Sequence, residues 1–517
     1  SGQIPFKIDL CETFDPVKAG WKLVFSDEFD GREVDWENTW YQPVWDKRGR
    51  KDFATLTNGL LEITCDWDEK EKDRLRTIGL WSRQTFLYGY FESRLKFTKE
   101  PGWWAAFWAI EEGRNPMTGG GFEIDIFEDY YTRNGGGVLD HNLHVSGGQG
   151  AKSWNYSTKL PGSLDDWYVI AAKWTPFEVS YYLNGNLMKS SARHSPYQSV
   201  TFDAFSHAFC VAPVRIIVSG QIHAKGERGK NFPETYYVDY VRVYQDPDAV
   251  APEVTWAEKP AKNFVRRGEP LVMEAKASGR SKAKTAYLFD NGFLIDYKTR
   301  EPFRFEFAID KKHYEGTAWE AGGRQGNTFV LDGYPHSFSI AVQDEKGAVG
   351  YTPVNTVIAT DRESTPYQGK AAEVPGKILP GNFDEGGVDV AYWRFPPAKG
   401  GQAPTFRPGE RINGHSVYMR NGEWVTYTVN AKRAGAYTVT LDYLLGKTHD
   451  PVPQRMPLMI DGIQVADFAL TPEGEQNARR KISAAGIRLE PGRHTVTVMS
   501  LGIWTPVFLG LEFTLEE

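Results

Sequence analysis

Three carboxylates stand close together in the apolar stretch GGGFEIDIFEDYY, which covers residues 119–131. They are Glu123, Asp125 and Glu128, separated by isoleucine and phenylalanine. Carboxyl groups that a fold holds close together can perform nucleophilic and acid–base chemistry. The alternative is an acidic, solvated strand face. The spacing alone leaves both interpretations open.

The element that carries these acids decides whether they can act together. In a helix, at about 100° per residue, the three side chains would point in scattered directions. Isoleucine, phenylalanine and tyrosine favour a strand, in which Glu123 and Asp125 share one face. Glu128 follows Glu123 by five positions, so a regular strand would turn it to the opposite face. One β-bulge between Asp125 and Glu128 restores the parity, and we therefore predict a bulged strand with all three acids in one cleft.

Two carboxyls about 5–5.5 Å apart across a glycosidic bond suit a retaining mechanism. One attacks the anomeric carbon and the other protonates the leaving oxygen. A third carboxylate can orient the nucleophile and help to keep the acid protonated, since neighbouring like charges raise a pKa. We assign Glu123 as nucleophile, Asp125 as its helper and Glu128 as acid/base.

The pattern Glu-Ile-Asp-Ile-Phe-Glu resembles the active-site signature of glycoside hydrolase family 16. It has the extra residue that laminarinases, agarases, porphyranases and carrageenases share. Five more blocks are similar to family blocks and occur in family order: LVFSDEFDG, YGYFESRLKF, PGWWAAFWAI, WTPFEVSYYLNG and VDYVRVYQ. The resemblance covers residues 21–245 and implies a curved β-sandwich with a substrate cleft on its concave face.

The whole chain is predicted to be all-β, because short alternating apolar runs are separated by turn residues and no long helical period occurs. We expect a family-16-like β-sandwich (jelly roll) catalytic domain at 1–249, an immunoglobulin-like sandwich at 250–362 and a β jelly roll at 370–517. The third segment, with VPGKILPGNFDEGGVDVAYW and NGEWVTYTVNAKRAGAYTVTLDY, resembles family 6 carbohydrate-binding modules. It departs from them at Pro380 and Gly381, where that family carries an acidic residue.

Aromatic residues make up 14% of the chain, and flat rings both stack on sugars and fill β cores. The predicted substrate-binding residues are Trp103, Trp104, Trp108, His144, Trp45 and Arg48. Core packing is the alternative for the tryptophans. For His144 the alternatives are a core position or a position that contacts the catalytic residues and not the sugar, and for the basic loop WDKRGRKDF the alternative is solvated surface. Arginine can hold sulfate or carboxylate groups in bidentate fashion.

The third segment contains three further candidates for a sugar platform. They are Tyr392, Trp393 and Trp504, whereas Trp424 lies within a strand run and is assigned to the core. No organic cofactor is required. A structural calcium ion is compatible with the sequence, but no ligand cluster identifies it and the metal content stays unknown.

The net charge of −7 gives no basic field for nucleic acid, and no apolar run approaches the roughly 20 residues of a membrane span. We expect a monomer. Cys11, Cys65 and Cys210 allow at most one disulfide, whose pairing the sequence does not show. The stretch SGQIPFKIDL contains no signal peptide, so a secreted, cell-surface or periplasmic location follows from the expected function alone.

The predicted function is a retaining endo-β-glycoside hydrolase that cleaves internal linkages of a polysaccharide. Candidate substrates are a β-galactan of the agar, porphyran or carrageenan type, sulfated or not, and a laminarin-like β-1,3-glucan. The early segment NTWYQPVWDKRGRKDF lacks the Asn-x-Glu element usual in laminarinases, which weakens the glucan assignment. A catalytically inactive, lectin-like protein and a transglycosylase on the same fold are the alternatives.

Overall fold

The computed structural model is almost entirely β-sheet. It describes residues 12–43, 49–67, 75–99, 103–111, 122–130, 137–147, 150–175, 178–192, 213–222, 232–248, 250–290, 293–310, 316–317, 328–329, 335–345, 348–394, 407, 410, 412, 414–420, 422–445, 454–470, 477–502 and 505–517. Within these ranges the helical turns are 3-10 turns at Lys51–Phe53, Tyr367–Gly369 and Pro380–Asn382. The all-β prediction is confirmed.

The first segment contains the strands that carry the predicted site. They are β1 (Lys22–Asp27), β2 (Trp40–Tyr41), β3 (Ala54–Thr57), β4 (Leu60–Trp67), β5 (Leu75–Arg76), β6 (Gly79–Ser82), β7 (Gly89–Lys96), β8 (Trp103–Glu111), β9 (Phe122–Tyr130), β10 (Val138–Gly147), β11 (Gly150–Lys159), β12 (Tyr168–Trp174), β13 (Glu178–Leu183), β14 (Asn186–Ala192), β15 (Val214–Ile222) and β16 (Glu234–Gln245).

These strands form two antiparallel sheets with a shared core. The seven-stranded sheet has the order β11-β10-β9-β8-β15-β6-β2. The nine-stranded sheet has the order β14-β13-β12-β7-β16-β4-β3, with β1 paired to β16 and β5 to β4. Side chains alternate between the two faces of each strand, and one set fills the space between the sheets. In β8, Ala105, Phe107 and Ala109 belong to this core, whereas Trp104 and Trp108 lie on the other face. We call this other face of the seven-stranded sheet the site face.

The second segment comprises shorter sheets around a core of its own. Its strands are β17 (Glu253–Glu258), β18 (Phe264–Arg266), β19 (Pro270–Ser278), β20 (Ala283–Asp290), β21 (Phe293–Lys298), β22 (Phe303–Ala308), β23 (Gly316–Thr317), β24 (Thr328–Phe329), β25 (His336–Asp344), β26 (Val349–Tyr351) and β27 (Asn355–Thr360). The sheet orders are β17-β19-β22, β18-β27-β25-β20-β21 with β26 on β25, and β23-β24.

The third segment is a pair of sheets that enclose another core. Its strands are β28 (Ala372–Val374), β29 (Gly376–Ile378), β30 (Tyr392–Trp393), β31 (Val417–Tyr418), β32 (Trp424–Ala431), β33 (Gly435–Leu444), β34 (Gln454–Ile460), β35 (Ile463–Leu470), β36 (Arg479–Leu489), β37 (Gly492–Met499) and β38 (Val507–Leu515). The orders are β28-β32-β37-β34-β35 with β30 on β32, and β29-β38-β33-β36 with β31 on β38. The predicted segment boundaries and the immunoglobulin-like and module-like labels stay predictions.

The second and third segments meet at a hairpin turn. The carbonyl of Gly462, which joins β34 to β35, accepts hydrogen bonds from the backbone N–H groups of Asn263 (2.6 Å) and Phe264 (3.0 Å). The ring of Phe264 stands edge-on to Trp424 at 5.5 Å. Among the described residues, no helix is long and apolar enough to cross a membrane.

Substituting Gly462 tests this contact. Its φ is +80°, and an added Cβ would lie 2.7 Å from the carbonyl oxygen of Phe264. Gly486 is a matched control, since its φ is +74° and an added Cβ would meet nothing within 4 Å. Both Gly→Ala variants carry the left-handed backbone cost, and Gly462→Ala adds an overpacking cost of roughly 1–3 kcal/mol. In calorimetric unfolding we expect a larger drop in Tm for Gly462→Ala, and equal drops would contradict the contact.

Candidate active site

The predicted bulge lies in β9. On the β8 side, Phe107 pairs with Phe127 and Trp108 pairs with Asp125, so Ile126 is one residue too many for the ladder. The ladder with β10 shifts at the same place. Along this stretch β9 contains one residue more than β8 and one residue more than β10. An extra residue of this kind in one strand of an antiparallel pair is a β-bulge. The prediction of a bulge between Asp125 and Glu128 is confirmed.

The bulge sets the direction of every side chain in this strand. Ile124, Ile126 and Phe127 all belong to the core between the sheets, so two consecutive residues point the same way. The three carboxyls consequently lie on the site face. In a strand with regular alternation, Glu128 would point to the opposite face.

The three carboxyls form one connected cluster. Asp125 and Glu128 are buried, at 1% and 5% exposure, and Glu123 is half-buried. His144 Nε2 lies 3.0 Å from Asp125 Oδ2. Asn142 donates its side-chain N–H to Glu128 Oε2 at 2.5 Å. The structure therefore places the predicted His144 directly against the central acid.

Burial and mutual repulsion disfavour ionisation of these acids. Burial raises the pKa of Asp125 well above its usual range, and the neighbouring Glu128 charge adds to the effect. Burial likewise raises the pKa of Glu123, followed by the charge of Asp125, while His144 opposes the increase. Because the carboxyls share one buried cluster, full ionisation of all of them is costly. Such a cluster can hold a proton for acid catalysis near neutral pH.

Two residues of β10 extend the cluster and were missed in the sequence. Asn142 lies opposite Asp125, and Asp140 lies opposite Glu128 and accepts a hydrogen bond from Ser157 Oγ at 2.7 Å. The signal was present, because the alternation in VLDHNLHV puts Asp140, Asn142 and His144 on one strand face. Only His144 was selected.

An aromatic floor continues the site face away from the acids, across β8, β15, β6 and β2. Its residues are Trp81, Ala106, Trp108 and Ile217, with Tyr41, Trp104 and Ile110 packed against them. Trp108 is only 7% exposed; its indole N–H donates to Ser219 Oγ at 3.0 Å and its ring stands edge-on to Trp81 at 5.5 Å. Trp104 is half-buried, so it offers more ring surface than Trp108.

Several predicted contacts fall outside the described residues. Trp45 and Arg48 lie in residues 44–48, and Trp504 lies in 503–504. Trp103 begins β8, but its side chain is likewise outside the description.

Two predictions for the third segment are corrected. Tyr392 is fully buried, and its hydroxyl donates to Glu410 Oε2 at 2.6 Å. Trp393 is 5% exposed and packs in one cluster with Trp424. A sugar platform needs an exposed ring face, so neither residue can provide one in this structure. The core position predicted for Trp424 is confirmed.

Cys65 is a free, buried thiol, and burial raises its pKa.

Within the described part of the chain, one group of acids and histidines is close enough to hold a metal ion: Glu123, Asp125 and His144, whose ligand atoms lie within 4.8 Å of one another.

The family assignment comes from the sequence of this first segment. A sequence model described as "Glycosyl hydrolases family 16" matches residues 42–242. The chain contains a family 16 glycosyl hydrolase domain. The seven-stranded sheet, in which β9 is an interior strand, lies almost entirely within the matched range.

Three curated relatives match parts of the chain. A clotting factor G alpha subunit from Tachypleus tridentatus is 25% identical over 47% of this chain and 36% of its own length. A beta-glucanase from Rhodothermus marinus is 26% identical over 44% of this chain and 85% of its own. A keratan-sulfate endo-1,4-beta-galactosidase from Sphingobacterium multivorum is 32% identical over 31% of this chain and 37% of its own. The match thus spans little more than a third of the first and third relatives.

Solved structures of similar proteins include two laminarinases. The one from Flavobacterium sp. UMI-01 is 24% identical, with 43% of this chain and 100% of that chain covered and a TM-score of 0.36. The one from Rhodothermus marinus is 22% identical, with 44% and 97% covered and a TM-score of 0.36. The assignment of the family 16 domain rests on the sequence match, not on these scores.

The raised pKa of Asp125 predicts a pH-dependent gain in stability when its charge is removed. The folded pKa lies above the unfolded value of about 3.9, so folded protein loses stability as rising pH ionises this group. Asp125→Asn removes that cost, and the Tm of the variant relative to the parent should increase from pH 4 to pH 8.

Asp165→Asn is the control. Lys99 lowers the pKa of this exposed carboxyl, so the Tm difference should be flat or fall slightly with pH. A flat profile for Asp125→Asn would contradict the buried, repelling cluster.

Proposed function

We propose that the protein is a retaining endo-β-glycoside hydrolase. The observation that carries the proposal is the bulged β9, which brings Glu123, Asp125 and Glu128 to one face of the sheet. The family 16 domain supplies independent support from sequence.

In this mechanism Glu123 attacks the anomeric carbon of the sugar while Glu128 donates its proton to the leaving oxygen. A covalent glycosyl-enzyme forms and the aglycone departs. Glu128, now ionised, removes a proton from water, which attacks the same carbon and releases Glu123. Two displacements retain the β configuration.

Neighbouring groups hold these two acids for their roles. Asn142 donates to Glu128 and so fixes the direction of the acid/base. Asp125 lies between the two glutamates and is itself held by His144. Repulsion among the three carboxyls disfavours full ionisation of the cluster, and the mechanism requires that its proton lie on Glu128 before attack while Glu123 is ionised.

The aromatic floor supports a polymeric substrate. Trp104 is a half-buried ring of this floor, and the buried Trp81 and Trp108 pack in the same cluster across neighbouring strands beside the acids. The floor would then carry internal sugars of a chain, with Trp104 as the stacking residue. Two of the relatives reported above are named a beta-glucanase and a keratan-sulfate endo-1,4-beta-galactosidase. We therefore propose a β-galactan, sulfated or not, or a β-1,3-glucan as substrate, with a location outside the cell where such polymers occur.

Two other activities are compatible with the fold. A lectin-like protein would need to bind without cleaving, and this chain keeps both glutamates on the site face. A transglycosylase would use the same covalent intermediate but would transfer the sugar to another sugar.

A polysaccharide panel tests the proposal. We expect new reducing ends from at least one of laminarin, agarose, porphyran, carrageenan, arabinogalactan and keratan sulfate. Early products should be oligosaccharides of mixed length, as internal cleavage requires. Binding without cleavage of any member would favour the lectin, and products longer than the starting chains would favour the transglycosylase.

Substitution of the nucleophile and the stereochemistry of the product test the mechanism. Glu123→Gln should lower kcat by at least about 1,000-fold, since the covalent step is lost. Asp165→Asn, at an exposed position, should leave it unchanged. Proton NMR of the first product should show the β anomer. An α anomer would mean inversion, and turnover of Glu123→Gln within tenfold of the parent would refute the assigned nucleophile.

A further inference from the structure

One residue of β10 stands opposite the bulge and faces away from the site. The register places Asp140 beside Glu128 and Asn142 beside Asp125. His141 is therefore the single residue of β10 that opposes the two residues Ile126 and Phe127. It is 1% exposed and points into the core.

Both ring nitrogens of His141 make hydrogen bonds. Nδ1 lies 2.6 Å from the carbonyl oxygen of Ile126, the extra residue of the bulge. Nε2 lies 2.9 Å from Thr158 Oγ1 on β11. The ring also stacks on Tyr181 of the opposite sheet, with centroids 5.0 Å apart and planes at 28°. Tyr181 in turn donates its hydroxyl to the carbonyl of Asn142 at 2.8 Å.

These partners define the tautomer. A carbonyl oxygen can only accept, so Nδ1 of His141 must carry a proton. In the neutral ring Nε2 then accepts from the hydroxyl of Thr158. The imidazole thus gives the carbonyl of Ile126 a donor from outside the backbone ladder. A buried carbonyl in an interrupted ladder needs such a donor, because leaving it unsatisfied is costly.

We propose that His141 is a positioning residue for the reaction: its bond to the Ile126 carbonyl holds the bulge, and the bulge holds Glu128 level with Glu123 and Asp125. If the bulge moved along β9 past Glu128, this acid would turn toward the core. The residue touches neither substrate nor the reacting atoms. The expected effect of His141 on cleavage rests on the proposed hydrolysis. Its effect on the position of the bulge does not.

Three substitutions separate the bond to the bulge from the rest of the packing. His141→Leu removes both hydrogen bonds and fills the buried position with an apolar side chain. In His141→Asn the amide nitrogen takes the position of Nδ1 and can still donate to Ile126. Thr158→Val removes the partner of Nε2 and leaves the bulge bond intact.

The kinetic comparison uses two leaving groups. A 2,4-dinitrophenyl glycoside needs no proton in the first step, whereas a polysaccharide does, and kcat/KM reports that step. The probes are laminarin with 2,4-dinitrophenyl β-laminaribioside, and keratan sulfate with the 2,4-dinitrophenyl β-glycoside of N-acetylglucosaminyl-β-1,3-galactose, in which galactose carries the leaving group. For His141→Leu we expect kcat/KM to fall by roughly 100-fold on the polysaccharide and by less than about tenfold on the aryl glycoside. His141→Asn and Thr158→Val should stay within about tenfold of the parent on both.

Equal losses on both substrates would overturn the proposal, since they would show a general packing role. If His141→Leu does not fold, His141→Gln replaces it, because its amide reaches the position of Nε2 and not that of Nδ1. The glutamine variant should then lose polysaccharide cleavage while the asparagine variant keeps it. The reverse order would also overturn the proposal.

A second readout needs no activity. Nitrogen-15 NMR of the parent should show a proton on Nδ1 of His141, and amide hydrogen exchange around residues 125–128 should be faster in His141→Leu but not in Thr158→Val. An unprotonated Nδ1, or unchanged exchange in His141→Leu, would refute the inference. If the parent cleaves no member of the polysaccharide panel, the proposed hydrolysis fails while this readout still decides the role of His141.

Discussion

One extra residue in β9 is the constraint on which the site depends. The strand lies inside the seven-stranded sheet, so both β8 and β10 must accommodate the same insertion. An isolated edge strand could absorb a bulge at little cost, but an interior strand interrupts two ladders at once. The result is a fixed offset: Ile126 and Phe127 both enter the core, and Glu128 returns to the face of the other two acids.

The site also concentrates charge where a fold would normally avoid it. Burial and repulsion raise the pKa of Glu123 and Asp125, so these groups reduce stability when ionised. Two polar partners of the acids lie on β10: Asn142 for Glu128 and His144 for Asp125. One strand therefore supplies the acids and its neighbour orients them. This division explains why the register between β9 and β10 matters as much as the identity of the acids.

Sequence reasoning was strongest where residue type and parity had to agree. Three acids at spacings of two and three allow one cleft only with a bulge, and that argument needed no structure. It failed for Tyr392 and Trp393 because the residue types of an aromatic pair do not show whether the pair lies on the surface or in a core. Their burial depends on the pairing of β30 with β32, a contact distant in sequence. His141 was overlooked for the same reason, since its partners Ile126, Thr158 and Tyr181 lie on three different strands.

The three segments are connected by side-chain contacts as well as by the chain. Phe289, Ala341 and Val349 of the second segment belong to the same apolar cluster as the core of the first. Beside them, burial and then the charge of Glu111 raise the pKa of Tyr351.

Glu111 ends β8, the strand that begins at Trp103 and carries Trp104 and Trp108 on the site face. The same strand therefore runs from the aromatic floor to the contact with the second segment. The hairpin carbonyl of Gly462 then ties the second segment to the third. Tethering raises the effective concentration of a second binding site only if the connection lets both sites reach one polymer. With such contacts the direction of any third-segment sugar site would be set by packing, and that site must use surfaces other than the buried Tyr392 and Trp393.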